Sequence, residues 1–333
     1  MTNRFSPDVI LRSRVRLARN IVDYPFPPVL DNACRQEIVA KVSSALATSN
    51  FNSNTDIADP IRAHILAEDH LISREFAAEK EAHALFLSHD RDISIMVCEE
   101  DHLRIQAFAN GLALKEAKYK ATEAERLLNQ SIRFAFDNDL GYRTHCPTNL
   151  GTAMRASVMM FLPALTFTKR MGELKTNLEK IGITVRGLYG EGTAADACIY
   201  QVSNSLSLGL SEEDLIQKVE TITQRIAEDE QAARNSLFTA NRNALTDKIY
   251  RSLGILRYAH MLSSKEFFDC YVYVRLGISL GLVPETDHTA LDGLLQTAMP
   301  AHILLQDRHA AEDASLRDCL RAQTVRNTLG GRN

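Results

Sequence analysis

The stretch Ser13-Arg14-Val15-Arg16-Leu17-Ala18-Arg19-Asn20 carries the first decision about the fold. Side chains alternate across a β-strand, so residues two apart share a face. Val9, Leu11, Ser13, Val15 and Leu17 fall on one side, and Ile10, Arg12, Arg14 and Arg16 on the other. The pattern predicts a strand with one apolar and one cationic face. Two guanidinium groups held side by side repel unless an anion lies between them, and the guanidinium fork matches phosphate oxygens bidentately. Arg14 and Arg16 are therefore candidate phosphate ligands. By spacing alone the run, extended by Arg12 and Arg19, reads as well as a solvated basic face.

Outward from this strand the pattern mixes both periods. Residues 31–47 read as an amphipathic helix, 51–60 as a polar loop, and 93–97 (ISIMV) as a short buried strand that runs into acids. Residues 113–136 have helical spacing, broken by 137–141. Residues 152–162 and 174–181 read as helices, and 183–188 and 199–207 as strands. Ser211 with Asp214 resembles a capping box that opens a long polar helix towards Ala232. From about Ser236 the helical pattern dominates, which divides the chain into residues 1–235 and 236–333. Strands and helices do not alternate strictly, so an α+β fold with an antiparallel sheet is expected in the first part, followed by a smaller helical domain.

Composition bounds the function. Of 333 residues, 45% are apolar and 24% charged, which allows a sizeable core. A net charge of −4 gives no global pull on nucleic acid. The most apolar stretch, 156–168, contains Pro163 and is too short to span a bilayer. The N-terminal stretch has no apolar h-region. Cys34, Cys98, Cys146, Cys198, Cys270 and Cys319 are widely spaced, with neither a disulfide framework nor zinc-ligand spacing. A reducing cytoplasm is the expected compartment.

Four further segments carry chemistry. Cys98-Glu99-Glu100-Asp101-His102 packs three acids at a strand end, a set that suits magnesium or a cationic substrate, and equally a polar turn around a structural His102. Cys146-Pro147-Thr148-Asn149-Leu150-Gly151-Thr152 places a thiol beside hydroxyl and amide groups ahead of the expected helix with Arg155. A thiol at a helix start acquires thiolate character, although a lone cysteine is more often just buried. Arg186-Gly187-Leu188-Tyr189-Gly190-Glu191-Gly192 is a glycine-bracketed loop, able to close over a substrate or to be an ordinary surface loop. Arg317 and Arg321 stand four apart on an expected helix and share a face, with Asp318 between them for an ion pair.

In order and spacing, these runs resemble the ATP:guanidino phosphotransferase family: Ser13 to Asn20, then Glu99-Glu100-Asp101-His102-Leu103-Arg104, then Cys146 to Thr152 with Arg155-Ala156-Ser157-Val158, then Arg186-Gly187 with Gly190-Glu191. The resemblance covers roughly residues 9–225. It implies that Arg14, Arg16, Arg104, Arg155 and Arg186 clamp the nucleotide phosphates. It implies that Glu100 and Glu191 grip the acceptor guanidinium, with Cys146 beside it and Thr148 and Asn149 supporting the thiol. Glu99 would reach magnesium through water, so that ATP and Mg2+ are the expected cosubstrates. Three departures stand out: Cys98 where asparagine is usual, His145 where a small hydroxylated residue is usual, and Ala194 or Ala195 where an acid is common.

One branch of the family fits best. Phosphagen kinases carry a helical domain of about a hundred residues ahead of this first motif, which here begins at Ser13. A more open acceptor site is therefore expected, able to admit an arginine on a polypeptide. The run Arg317-Asp318-Cys319-Leu320-Arg321-Ala322 resembles the RDxxRA motif of bacterial protein-arginine kinases (McsB type), which implies a second, regulatory site for phosphoarginine. The same resemblance implies protein substrates with exposed arginine marked for a Clp-type protease, a zinc-binding activator of the McsA type, and a homodimer. The rival expectations are a kinase of free arginine or another small guanidino compound, and a catalytically silent phosphoarginine-binding adaptor.

Overall fold

The computed structural model describes residues 7–187 and 196–330. Its centre is an eight-stranded sheet in which every neighbouring pair is antiparallel. The strands are β1 (Ile10–Arg19), β2 (Phe51–Ser53), β3 (Ala84–Ser88), β4 (Ile93–Val97) and β5 (Leu103–Asn110). A small hairpin, β6 (Phe136–Asp137) and β7 (Gly141–Tyr142), stands apart, and β8 (Met154–Phe161), β9 (Ile183–Gly187) and β10 (Ile199–Asn204) complete the sheet. The spatial order is β2-β3-β4-β5-β1-β8-β10-β9, with β1 near the middle.

The helices are α1 (Asn32–Leu46), α2 (Pro60–Glu68), α3 (Arg74–Ala77), α4 (Leu114–Asn129), α5 (Pro163–Phe167) and α6 (Met171–Glu179), then α7 (Glu212–Tyr258), α8 (Ser264–Ser279), α9 (His288–Thr297), α10 (Pro300–Gln306) and α11 (Ala314–Leu329). None is long and apolar enough to cross a membrane. The main core lies on one face of the sheet. There Val15 and Leu17 of β1, Ile105 of β5 and Val158 of β8 pack with Ala117, Ala121 and Leu128 of α4 and the first half of α7. A second core joins α7, α8, α9 and α11 and takes in Phe161 and Ile199 from the sheet.

The expected α+β class and antiparallel sheet are what is found, with several local differences. Residues 152–162, read as a helix, form the central strand β8. Its Met and Ala residues are helix formers, and the face opposite the main core carries Arg155 and Ser157 but then the apolar Met159 and Phe161, so polar alternation is short. The alternation of β1 holds from Arg12 onward, but a register shift between Ile10 and Arg12 turns Ile10 into the main core and leaves Leu11 against the second one. The expected loop 51–60 contains β2 and a short 3-10 turn. The helix read over 113–136 stops at Asn129.

Ser211 does cap α7, its hydroxyl accepting from the Asp214 amide at 3.1 Å. The helix then runs to Tyr258, interrupted only at Asn241, where φ is −132° and ψ 31°. Polar clamps tie the α8–α11 bundle to the sheet. Buried Arg275 donates to the carbonyls of Asp8 (2.9 Å) and Pro7 (3.0 Å) and to the Asp292 carboxylate. The Glu68 carboxylate of α2 accepts from the amides of Ala301 and His302, which satisfies the N-terminus of α10.

Candidate active site

The sheet face opposite the main core is cationic, and strand register explains why. Directly opposed residues of an antiparallel pair share a face. Arg16 lies opposite Arg155 of β8, Ala18 opposite Arg104 of β5, and Gln201 of β10 opposite Arg186 of β9. Arg14, Arg16, Arg104, Arg155 and Arg186 thus rise from one surface, contributed by β1, β5, β8 and β9. Arg16, Arg104, Arg155 and Arg186 line a cavity of about 780 Å³ together with Glu99, Glu100, Cys146, Thr148 and Asn149. Sequence separation between these residues reaches from β1 to β9, yet the sheet brings them to one basin.

Arg14 stands at the edge of that basin, in a small recess with Arg12, His70, Phe108, Met159 and Gln201. It donates to the Gln201 Oε1 at 2.7 Å and to the Ser157 hydroxyl at 3.4 Å. Burial, with Arg155, Arg104 and Arg12 adding repulsion, pushes the Arg14 guanidinium down to about 9. The same causes hold Arg16 well below the ordinary arginine range: burial first, then the charges of Arg14, Arg104 and Arg155. Both directions signal a concentration of positive charge that an anion would relieve. Arg155 is aimed by the Ser203 hydroxyl of β10, at 3.2 Å from Nε and 3.0 Å from Nη2.

The acids divide in role by their surroundings. Glu99 is shielded, with one oxygen accepting from the Ser73 hydroxyl (2.7 Å) and the other from the Glu100 amide (2.8 Å) and from Arg104 (2.6 Å). The Glu100 side chain keeps 38% of its surface exposed and touches Arg104 at 2.9 Å. Glu100 is therefore the carboxylate free to meet a ligand, and Glu99 the one that aims Arg104 and fixes the turn.

That turn needs a left-handed residue, and Cys98 takes it at φ +62°. Asparagine tolerates this region better than cysteine, which gives a backbone reason for the asparagine usual there. Cys98 is fully buried, and desolvation pushes its thiol up to about 11. His102 is structural, as its sequence context suggested: Nδ1 accepts from the Ile21 amide at 2.9 Å and Nε2 meets the Pro25 carbonyl at 2.8 Å. Burial lowers its pKa, so the ring is neutral and Nε2 carries the proton.

Cys146 does not sit at the start of an α-helix. It precedes the single 3-10 turn Pro147–Asn149. Its Sγ lies 3.0 Å from the Thr148 hydroxyl, and its carbonyl accepts from the Thr144 hydroxyl at 2.9 Å. Asp101 links this turn to the acids: its buried carboxylate accepts from Asn20 Nδ2 (2.6 Å) and from the His145 amide (2.8 Å). His145 itself is exposed, its ring 6.0 Å from that of Phe26. Sequence reasoning named the acids beside Asp101 but missed this bridging role, as it missed Glu75 and Phe76 of α3 and Glu79 just after it, which also line the cavity. No motif marks α3; only its cap, the Ser73 hydroxyl accepting from the Phe76 amide, is legible. Arg186 and Gly187 of the glycine-bracketed loop end β9, and Glu191, with residues 188–195, lies outside the described residues.

The RDCLRA run lies on α11, away from this cavity. Arg321 is 2% exposed and donates to the carbonyls of Ala298 (3.0 Å) and Leu262 (2.8 Å) and to Asp318 (2.7 Å). Arg317 is half-buried and donates to the carbonyls of Ala310 and Ala311. Arg321 thus staples the helical bundle, and the charged surface offered by the motif is that of Arg317 and Asp318, beside exposed Cys319.

Comparison with known proteins now fits this geometry. The family model described as ATP:guanido phosphotransferase, C-terminal catalytic domain, matches residues 33–233. A protein-arginine kinase of Symbiobacterium thermophilum is 44% identical over 331 residues, which cover 97% of this chain and 93% of the relative. The chain belongs to the protein-arginine kinase branch of the ATP:guanido phosphotransferase family. As a member of that branch it also matches the model for the protein-arginine kinase McsB C-terminal domain, over residues 242–333. A protein-arginine kinase of Geobacillus sp. strain WCH70 is 39% identical over 97% of this chain and 91% of the relative. Among solved structures, the duplicated taurocyamine kinase of Schistosoma mansoni, with bound transition-state-analogue components, aligns with a TM-score of 0.60 and 27% identity, over 73% of this chain and 37% of that one. The family is one of kinases, and ATP is its phosphoryl donor.

Proposed function

We propose that this chain transfers the γ-phosphoryl group of Mg-ATP to arginine side chains of other proteins, using the residues of the cationic basin. The reading is supported above all by one juxtaposition: four arginines of the cationic face, with Arg14 at its edge, meet a half-exposed carboxylate and a thiol in one cavity. ATP carries about four negative charges, and preorganised guanidinium groups are a fitting counter-charge for phosphoryl transfer. Arg14, Arg16, Arg104, Arg155 and Arg186 hold the phosphates. Glu99 would meet, through water, a magnesium ion that arrives on the nucleotide.

The acceptor is a guanidinium, protonated at neutral pH and hence a poor nucleophile. Glu100 holds it by hydrogen bonds and takes a proton as the new N–P bond forms and the bond from the β,γ-bridging oxygen to the γ-phosphorus breaks. The electron pair of that bond leaves with ADP, whose new charge the arginines neutralise. Cys146 aligns the third edge of the guanidinium, steadied by Thr148, and Asn149 shapes the same turn. Glu191 is the second carboxylate of the clamp in this reading.

The finer assignments follow the same line. Residues 1–235 form the catalytic domain and 236–333 a helical domain whose Arg317 and Asp318 serve phosphoarginine regulation, with buried Arg321 holding the motif's helix in place. The chain works in the cytoplasm, as a homodimer, with a zinc-binding activator of the McsA type and a Clp protease as partners. The deciding experiment incubates the enzyme and Mg-ATP with an arginine-rich protein or with free arginine, then maps acid-labile N–P bonds by mass spectrometry. Labelled arginine in the protein, lost in Glu191→Ala, is the expected result. Turnover of the free amino acid alone would assign a small-molecule kinase instead.

A further inference from the structure

We propose that the leucine-bearing loop after β10, together with the β6–β7 hairpin, is the docking surface for the acceptor polypeptide, and that it selects arginines flanked by apolar side chains. The proposal rests on the kinase reading above and adds the class of acceptor. Leu206, Leu208 and Leu210 are 56%, 51% and 40% exposed, and Phe136 and Leu140 of the hairpin are 58% and 46% exposed. Single exposed apolar residues are ordinary, whereas a contiguous group marks an interaction site.

The two segments are joined through Gly151, against whose backbone both pack closely. A Cβ on Gly141 would meet the Gly151 carbonyl oxygen at 2.3 Å, and a Cβ on Gly151 would meet the Ser207 oxygen at 2.7 Å and the Leu208 Cα at 2.8 Å. The Gly151 amide donates to the Leu140 carbonyl, and the Ser207 hydroxyl donates to the Leu150 carbonyl, both at 2.8 Å. Leu150 ends the turn that begins at Cys146 and carries Thr148 and Asn149 into the cavity. The apolar surface and the proposed guanidinium subsite are thus built on one piece of backbone.

Charge identifies the occupant. The hairpin carries Asp137 and Asp139, and the first turn of α7, which follows the loop, carries Glu212, Glu213 and Asp214; against these five acids stand Lys118, paired to Glu212 and Glu213, Arg143, and Lys218 near Ser205. The surface is net acidic, opposite in sign to the arginine face behind it. A leucine-studded, acidic rim fits a cationic peptide with apolar neighbours, and extended peptides are commonly read through such side-chain contacts beside the reacting residue.

The test uses the full-length enzyme and two synthetic peptides with one central arginine, flanked on both sides by leucines or by serines. Wild type should phosphorylate the leucine peptide with about tenfold higher kcat/KM, carried by KM. Leu206→Ser/Leu208→Ser/Leu210→Ser should bring the ratio to about two or less, with turnover of the serine peptide unchanged. Leu206→Ser/Leu210→Ser, which keeps the residue packed on Gly151, should lower the ratio part-way and guards against misfolding. Equal use of both peptides by wild type, or a preference that survives in the triple variant, overturns the proposal. So does a dimer that the triple variant turns into a monomer, since a second copy would then cover the surface. No label on either peptide would instead remove the kinase reading itself.

Discussion

Arg104 bonds both acids of the Glu99–Glu100 pair, at 2.6 and 2.9 Å, and so holds the carboxylates and the phosphate face in register. In the proposed reaction an entering guanidinium takes over its place on Glu100. Glu100→Gln keeps the shape and a hydrogen-bond acceptor but cannot take the proton. It should lower kcat by about 10²–10⁴-fold, with ATP affinity, read by nucleotide titration, left within about threefold. Loss of ATP binding instead would show that Glu100 organises the arginines and is not the base. The cysteines make a second residue-level case. The thiolate is the reactive form, so a raised pKa protects. Burial pushes Cys98 and Cys270 up to about 11 and Cys198 up to about 12. Alkylation of the native protein at pH 8 should therefore label Cys146 and exposed Cys319 and spare those three. Peptide mapping that finds Cys98 or Cys198 modified as fast as Cys146 would contradict this ranking.

Among the elements, α7 holds the two cores together. Its Glu230, fully buried, accepts from the amides of Ala164 and Leu165, both at 3.0 Å, and from Arg234 at 2.7 Å. It thereby caps α5, whose own N-cap residue Leu162 offers no side-chain bond. Burial raises the Glu230 pKa while Arg234 opposes the shift, so the carboxylate is costly alone and tolerated as a pair. Glu230→Ala strands the Arg234 charge and should cost about 3–5 kcal/mol in urea unfolding. Glu230→Gln keeps acceptor capacity for the amides and should fall between that variant and wild type. If Glu230→Ala unfolds at the wild-type midpoint, the pair contributes nothing net.

At the scale of the whole molecule, buried cations on backbone carbonyls hold the helical bundle: Arg275 attaches it to Pro7 and Asp8 ahead of β1, and Arg321 ties Leu262 to Ala298 within it. The two arginines of the α11 motif should therefore separate. Arg321→Ala leaves buried carbonyls unpaired at about 1–3 kcal/mol each and should lower the thermal midpoint. Arg317→Ala, nearer the surface, should change stability by about 0.5 kcal/mol or less and act on phosphoarginine binding, measured by titration calorimetry. Unchanged phosphoarginine affinity in Arg317→Ala would remove the proposed regulatory role.

The one-dimensional pattern was sufficient where a single physical rule acts along the chain. Alternation around Ser13 announced a two-faced strand and Ser211 and Asp214 announced the start of α7, whereas the spaced arginines and acids left a solvated face and a polar turn open until the family resemblance joined them into a site. It failed where neighbours from elsewhere decide. β8 breaks its alternation because the second core covers Met159 and Phe161 on the face that carries Arg155, and Cys146 met a 3-10 turn because the chain enters a strand next. Pairing register, which is non-local, set Arg155 opposite Arg16 and Arg186 beside Gln201, and that alone made five scattered arginines into one surface. Close backbone approach at Gly141 and Gly151 likewise joined two unremarked loops into a face, since packing between distant segments leaves no period for the sequence to display.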